Sequence, residues 1–254
     1  MTLIQIPNNK TIIYDCNITK DNEEDVLWYL GKHINKVDIF INSHRDADHM
    51  RGVTKIYNQF WIDEIWDSGV PGTTTDSTEY IQYMNLRRKI GKEVESKKFR
   101  IFWDCKLRIM NSKNSDFVDA NEQSLVVKLE YKNHGVMLPG DTSYKSWKDF
   151  IEQEYSASDL SSSILLASHH GSLSFFDDPS DVNHYYTSHI KKIAPAMTIV
   201  SVGDNDTHPH EKALKLYENH SSGSNKGNKV HMTKDKGHMA LILKEGNWTL
   251  STNQ

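Results

Sequence analysis

Behind the apolar run Val37-Asp38-Ile39-Phe40-Ile41 the chain reads Asn42-Ser43-His44-Arg45-Asp46-Ala47-Asp48-His49-Met50-Arg51-Gly52, so His44, Asp46, Asp48 and His49 fall within six residues. Imidazoles and carboxylates at this density suit an ion such as zinc or manganese, and two ions can share such a cluster. The segment constrains the fold, because its ligands leave the end of a strand. That is where α/β proteins converge polar groups into a site. A polar turn with surface histidines would not need the apolar strand before it.

Three more strand ends carry the same kind of residue. Val136-Met137-Leu138-Pro139-Gly140-Asp141 delivers a carboxylate, and Leu165-Leu166-Ala167-Ser168-His169-His170-Gly171-Ser172 delivers two adjacent histidines. Ser201-Val202-Gly203-Asp204-Asn205-Asp206-Thr207-His208-Pro209-His210 delivers another pair before a helix. Each alone is a weak signal, since Gly-Asp and surface histidines are common in turns. Four strand ends in order form a constellation. His210 reads as a surface residue at a helix start, and His134, His184, His189, His220, His231 and His238 have no such company.

The periodicity between these points alternates strand and helix, which predicts an α/β layered architecture. Leu3–Ile6 and Thr11–Tyr14 read as a hairpin, Asp21–His33 as a helix and Val37–Asn42 as a buried strand. Asp76 is the expected N-cap of a helix running to about Gly91, inside a basic helical insertion around 71–100. Ser124–Tyr131 with Gly135–Leu138, and Lys229–Thr233 with His238–Leu243, read as hairpins. Ser163–Ala167 and Met197–Val202 read as buried strands, and Pro209–Tyr217 as a helix. Ser221–Asn228 reads as a flexible loop. One domain is expected over residues 1–254.

Arg87, Arg88 and Lys89, followed by Lys92, Lys97, Lys98 and Arg100, form the densest basic stretch. It fits either a solvated helix end favoured by the helix dipole or a phosphate-contact surface. The loop Leu173–Ser188, with Phe175, Phe176, Tyr185 and Tyr186, fits either a packed flap or a platform for stacking bases. Net charge is −4, so any polyanion would have to meet locally gathered basic residues. No apolar run approaches the roughly 18 residues of a membrane span. Met1–Pro7 lacks the basic and apolar regions of a signal peptide. Cys16 and Cys105 give no disulfide framework and read as apolar fillers in a reducing cytoplasm.

The order of these motifs resembles the metallo-β-lactamase superfamily, whose first ligand motif is His-x-His-x-Asp-His; here Asp46 replaces the second histidine. The variant is similar to the C-terminal hydrolase domain of ComEC-type DNA-uptake proteins and their stand-alone relatives. Lys10–Asp15, Ser43–Gly52, Asn121-x-x-Ser124–Val127, Gly140-Asp141, His169–Ser172, Ser201–Gly203, His208-Pro209 and Thr233-x-Asp235-x-Gly237 follow the family order. The resemblance implies a four-layer αββα sandwich. It has two departures: the family's Gly-rich opening strand is missing, and Asn121 stands where many members carry a third histidine ligand.

The resemblance implies one or two Zn²⁺ or Mn²⁺ ions per chain held by His44, Asp46, Asp48, His49, Asp141 and His170, with Asp141 bridging if both are present. His169 and His170 could exchange roles. A bound metal brings the pKa of water toward about 7, Asp48 orients it, and His169 and His208 contact phosphate or protonate the leaving oxygen. Asp15 reads as a supporting hydrogen-bond acceptor. Arg87, Arg88, Lys89 and Ser172 are the candidate substrate contacts. The leading expectation is a nuclease acting on DNA or RNA. A small-molecule phosphodiesterase, acting on a cyclic nucleotide or a phosphorylcholine-like ester, fits the acidic balance. An inactive metal-binding interaction module is the third reading.

Overall fold

A computed structural model of the chain describes residues 1–111, 113–178, 181, 184–203, 207–223 and 229–253. Residues 224–228 of the expected flexible loop Ser221–Asn228, the Asp204-Asn205-Asp206 portion of the fourth strand-end motif and part of the Leu173–Ser188 loop lie outside the described residues. The contacts gather into two compact units, Met1–Lys98 with Ser112–Leu125, and Phe99–Asn111 with Val126–Gln254.

The first unit holds a five-stranded sheet in the order β1-β2-β3-β4-β5. Its strands are β1 (Thr2–Ile6), β2 (Lys10–Tyr14), β3 (Val37–Ile41), β4 (Ile62–Asp67) and β5 (Gly91–Glu93). β1 and β2 form the expected antiparallel hairpin, and β2 to β5 run parallel. Its helices are α1 (Glu23–His33), α2 (Ala47–Met50), α3 (Val53–Phe60) and α4 (Thr78–Ile90).

Ile13, Phe40 and Ile65 lie on one rung across β2, β3 and β4. They join Leu30 of α1, Val53, Ile56 and Phe60 of α3, and Tyr80, Tyr83 and Leu86 of α4 in one buried cluster. The i, i+3, i+7 spacing in α3 puts its three on one face. Each such side chain contributes about 1.5–3 kcal/mol on burial. Ser77, not Asp76, caps α4: its side chain accepts from the Tyr80 amide. Both residue types can cap, and the helix starts one residue later than the periodicity suggests.

The second unit holds a seven-stranded sheet, β12-β11-β10-β9-β8-β7-β6, and a separate pair, β13-β14. These are β6 (Phe99–Phe102), β7 (Cys105–Ile109), β8 (Val127–Tyr131), β9 (His134–Leu138), β10 (Ile164–Leu166), β11 (Met197–Val200), β12 (Val230–Met232), β13 (His238–Lys244) and β14 (Asn247–Asn253). β6 to β9 run antiparallel in turn, and β9 to β12 are parallel. Met137, Leu165 and Val200 pack with Trp147, Ile190, Ala213 and Tyr217 in its core.

The expected pairing of Lys229–Thr233 with His238–Leu243 is corrected. β12 instead joins β11 in parallel, and β13 pairs with β14. Thr233 diverts the chain, since its hydroxyl donates to the Val202 carbonyl and accepts from the Val202 amide. The strict burial alternation of β13 suits a half-exposed ribbon closed by Glu245-Gly246. Phe175 and Phe176 are fully buried against Trp147, His189 and Tyr217, so neither is available to stack a base; Tyr185 is exposed.

Candidate metal centre

In the first unit the parallel run β2-β3-β4 brings three strand ends side by side, carrying Asp15, Ser43-His44 and Asp67. Asp15 leaves β2 at a positive φ of 52°, a conformation that Asp tolerates better than most residues. There its carboxylate accepts from the Ser43 amide at 2.7 Å and from His49 Nδ1 at 2.9 Å. The Ser43 hydroxyl lies 3.1 Å from His44 Nδ1 and 3.2 Å from His49 Nδ1, and the Ser124 hydroxyl is 3.1 Å from His44 Nδ1. Oxygen partners therefore surround both Nδ1 atoms, which sets each ring's orientation.

The Nε2 atoms point to the loop's carboxylates. His44 Nε2 is 3.7 Å from Asp46 Oδ2, and His49 Nε2 is 3.5 Å from Asp48 Oδ2. Two ligands of one tetrahedral ion, each about 2.1 Å from it, stand about 3.4 Å apart. Each His–carboxylate pair of this unit therefore has the chemistry and the spacing of two ligands on one divalent metal. His44 and His49 are buried, while Asp48 is about half exposed and open to incoming water. Gly52 closes the loop tightly: a Cβ there would meet Cys16 Sγ at 2.7 Å. Burial pushes the Cys16 thiol up to about 11, in keeping with an apolar filler.

Arg45, between the two first ligands, turns away from them. Its guanidinium meets Asp67 at 3.0 Å. Arg87 forks onto the same carboxylate at 2.7 and 3.0 Å, and the Tyr83 hydroxyl donates at 2.7 Å. Burial alone would raise the Asp67 pKa. The Arg87 hydrogen bonds, the Arg45 charge and the Tyr83 hydroxyl outweigh it and hold the carboxyl below its ordinary range. Arg87 thus spends its fork inside the protein. Arg88 and Lys89 remain exposed, with Arg88 donating to Asn85.

In the second unit β9, β10 and β11 run parallel, so Asp141, His169-His170 and Ser201 leave adjacent strand ends. His169 and His170 sit at φ 46° and 53° and Gly171 at 85°, three left-handed residues in succession. Such backbone is costly and clusters at functional sites. A Cβ on Gly171 would meet Pro209 Cβ at 2.7 Å. His170 Nδ1 lies 2.7 Å from the Ser201 carbonyl, which makes Nδ1 the protonated nitrogen and leaves the lone pair on Nε2. His169 Nε2 is 3.7 Å from Asp141 Oδ2, so this ring also faces the carboxylate.

The His208 ring lies 5.0 Å from that of His169 in a tilted arrangement and 5.0 Å from that of His210 edge to face. Burial, then the charges of His169, His210 and His170, lower its pKa and favour the neutral ring. His210 is exposed at the start of the helix Glu211–His220, as expected, and its Nδ1 accepts from the Leu173 amide at 2.8 Å. Ser172 is buried, and its hydroxyl caps the following turn by accepting from Ser174. Asn121 opens a short turn, and it is Ser124, three residues on, that reaches His44. Ser43, Ser124, Arg45 and Asp67 all support the loop without any motif that singles them out; the adjacency of Ser43 to His44 was the one local cue.

Comparison with known proteins places this geometry. Residues 1–169 match the family model of the metallo-beta-lactamase superfamily. The chain is similar to ComE operon protein 3 of Bacillus subtilis (strain 168), at 23% identity over 201 residues, 77% of this chain. It spans only 24% of that protein's length. Among solved structures it resembles the metallo-beta-lactamase fold protein YhfI from Bacillus subtilis, with TM-score 0.53 at 15% identity over 91% of this chain and 88% of that one. It also resembles Igni18, a metallo hydrolase from Ignicoccus hospitalis KIN4/I, with TM-score 0.55 at 14% identity over 99% and 94%. Among the described residues no helix is long and apolar enough to cross a membrane.

Proposed function

Because the chain belongs to the metallo-β-lactamase superfamily, we propose that it is a metal-dependent hydrolase of phosphodiesters, acting on DNA or RNA. The observation that carries this reading is the support of the imidazoles: His44, His49 and His170 each have Nδ1 engaged by oxygen. Buttressing of this kind is what ligating histidines receive. In the first unit His44, Asp46, Asp48 and His49 would hold a Zn²⁺ or Mn²⁺ ion, and in the second unit Asp141 and His170 are the candidate ligands. When bound, such an ion supplies Lewis acidity, bringing water deprotonation near neutral pH and offsetting charge on the phosphoryl oxygens.

The chain's own groups complete the reaction. Asp48 orients water for in-line attack on phosphorus. His169 and His208 contact the phosphoryl group, and one of them passes a proton to the ester oxygen that leaves as the P–O bond breaks. The similarity to ComE operon protein 3 and the exposed Arg88 and Lys89 favour a nucleic-acid substrate. A second reading, a small phosphodiester substrate, is favoured by one observation: Arg87 is committed to Asp67, which shortens the basic track.

Turnover of single- and double-stranded DNA and RNA, cyclic nucleotides and bis-p-nitrophenyl phosphate, each with added Mn²⁺ or Zn²⁺, tests both readings. Polymer cleavage supports the first. Turnover of the small esters alone would transfer the assignment to the second.

A further inference from the structure

The support around Asp46 differs in kind from that around the histidines. An imidazole ligand is held by acceptors, and the structure gives His44, His49 and His170 hydroxyl, carboxylate and carbonyl oxygens. A carboxylate ligand is acceptor-only and needs donors instead. Asp46 has two from one residue: the Thr73 amide donates to Oδ1 at 2.8 Å and the Thr73 hydroxyl to Oδ2 at 3.0 Å.

Three features bring Thr73 there. Gly72 packs so closely on the ligand loop that a Cβ would stand 2.0 Å from the Arg45 carbonyl oxygen, an approach only glycine permits. Arg45 is anchored through Asp67 to Tyr83 and Arg87 of α4. Ser77 caps that helix four residues after Thr73, so the segment between is short and tied at both ends.

We infer that Thr73 is a positioning residue for Asp46, supplying the paired donors that a carboxylate needs where other family members use a histidine. Asp46 with one hydrogen bond on each oxygen keeps a second lone pair on each for a metal. The loop Pro71-Gly72-Thr73 is therefore part of the metal-binding apparatus, and α4 serves it as a base. The inference rests on the reading of Asp46 as a ligand.

The test is calorimetric titration of the full chain with Mn²⁺ alone and with Zn²⁺ alone, with thermal melts of the metal-free proteins alongside. Thr73→Val keeps the shape and the amide but removes the hydroxyl; Thr73→Ser restores the hydroxyl. Expected are a loss of about tenfold in metal affinity for Thr73→Val, recovery to within about twofold for Thr73→Ser, and unchanged metal-free melting. In an Asp46→Asn background, Thr73→Val should cost nothing further. Wild-type affinity in Thr73→Val, no recovery in Thr73→Ser, or an equal loss with and without Asp46 would each overturn the positioning role. A wild-type chain that binds neither ion would instead overturn the functional reading itself.

Discussion

Replacing Asp67 with asparagine keeps the shape of the side chain but removes the charge that three groups share. Arg45 and Asp67 are almost fully buried, with side-chain exposures of 4% and 1%, and Arg87 is exposed to 20%. An amide can accept at one oxygen only, so Arg45 would be left in low dielectric with at most a neutral partner, and Arg87 would keep only a long ion pair to the exposed Glu93 at 3.9 Å. Removing one partner from a buried ion network costs about 3–5 kcal/mol. For a chain of 254 residues, 1 kcal/mol shifts the melting temperature by about 2–4 °C, so Asp67→Asn should melt about 10 °C lower. The wild-type contribution also has a pH signature. The Asp67 pKa is depressed in the fold, so its stabilisation is complete above the unfolded carboxylate value and is lost as pH falls through the folded value. Urea denaturation at pH 7 and at about pH 3, below the unfolded carboxylate value of about 3.9, measures both effects. A variant within about 1 kcal/mol of wild type at pH 7 would refute the argument that one buried carboxylate holds both arginines.

Other predictions concern separate parts of the molecule. His189 is wholly buried, and burial drives its pKa down to about 3. The unfolded chain takes up a proton there below about 6.5, so stability should fall with acidification by up to about 1.4 kcal/mol per pH unit. His189→Leu should gain on wild type as pH drops from 7 to 4, whatever packing it loses, and parallel pH curves in urea would contradict this. Gly171→Ala puts a Cβ on a left-handed residue against Pro209; a cost of about 1–2 kcal/mol predicts a melting point at least about 3 °C lower. If Arg88 and Lys89 meet a nucleic-acid backbone, Arg88→Glu with Lys89→Glu should flatten the slope of log affinity against log salt by about 1.8. An unchanged slope in a fluorescence titration would remove α4 from the binding surface.

Much of the fold could be read from the sequence because its signals are local. The run Val37–Ile41, the hairpin of Leu3–Ile6 with Thr11–Tyr14 and the helical spacing of Asp21–His33 specify their own structure, and each strand end announces its ligands. What stayed hidden depends on partners distant in sequence. Arg87 reads as free basic charge until β4 places Asp67 beside it. Phe175 and Phe176 read as equally suited to a flap or a platform, and only the surrounding Trp147, His189 and Tyr217 decide the matter. β12 and β13 look alike as short apolar runs, yet parallel pairing with β11 takes one and leaves the other to β14. The ligand types were visible, and so was Asp15 as a support of His49, whereas the other supports were not, since serines, a carbonyl oxygen and Thr73 belong to no spacing pattern.

The central claim is that the supported histidines and carboxylates make a hydrolytic metal site. The most direct measurement is hydrolysis of bis-p-nitrophenyl phosphate and of DNA by chelator-stripped protein, before and after Mn²⁺ or Zn²⁺ is restored, for wild type beside Asp48→Asn. The account predicts no turnover without metal, recovery on its return, and a loss of at least about 100-fold in the variant, the scale of an orienting or proton-transferring group. Turnover that survives stripping, or that Asp48→Asn retains at the wild-type rate with metal bound, would contradict it.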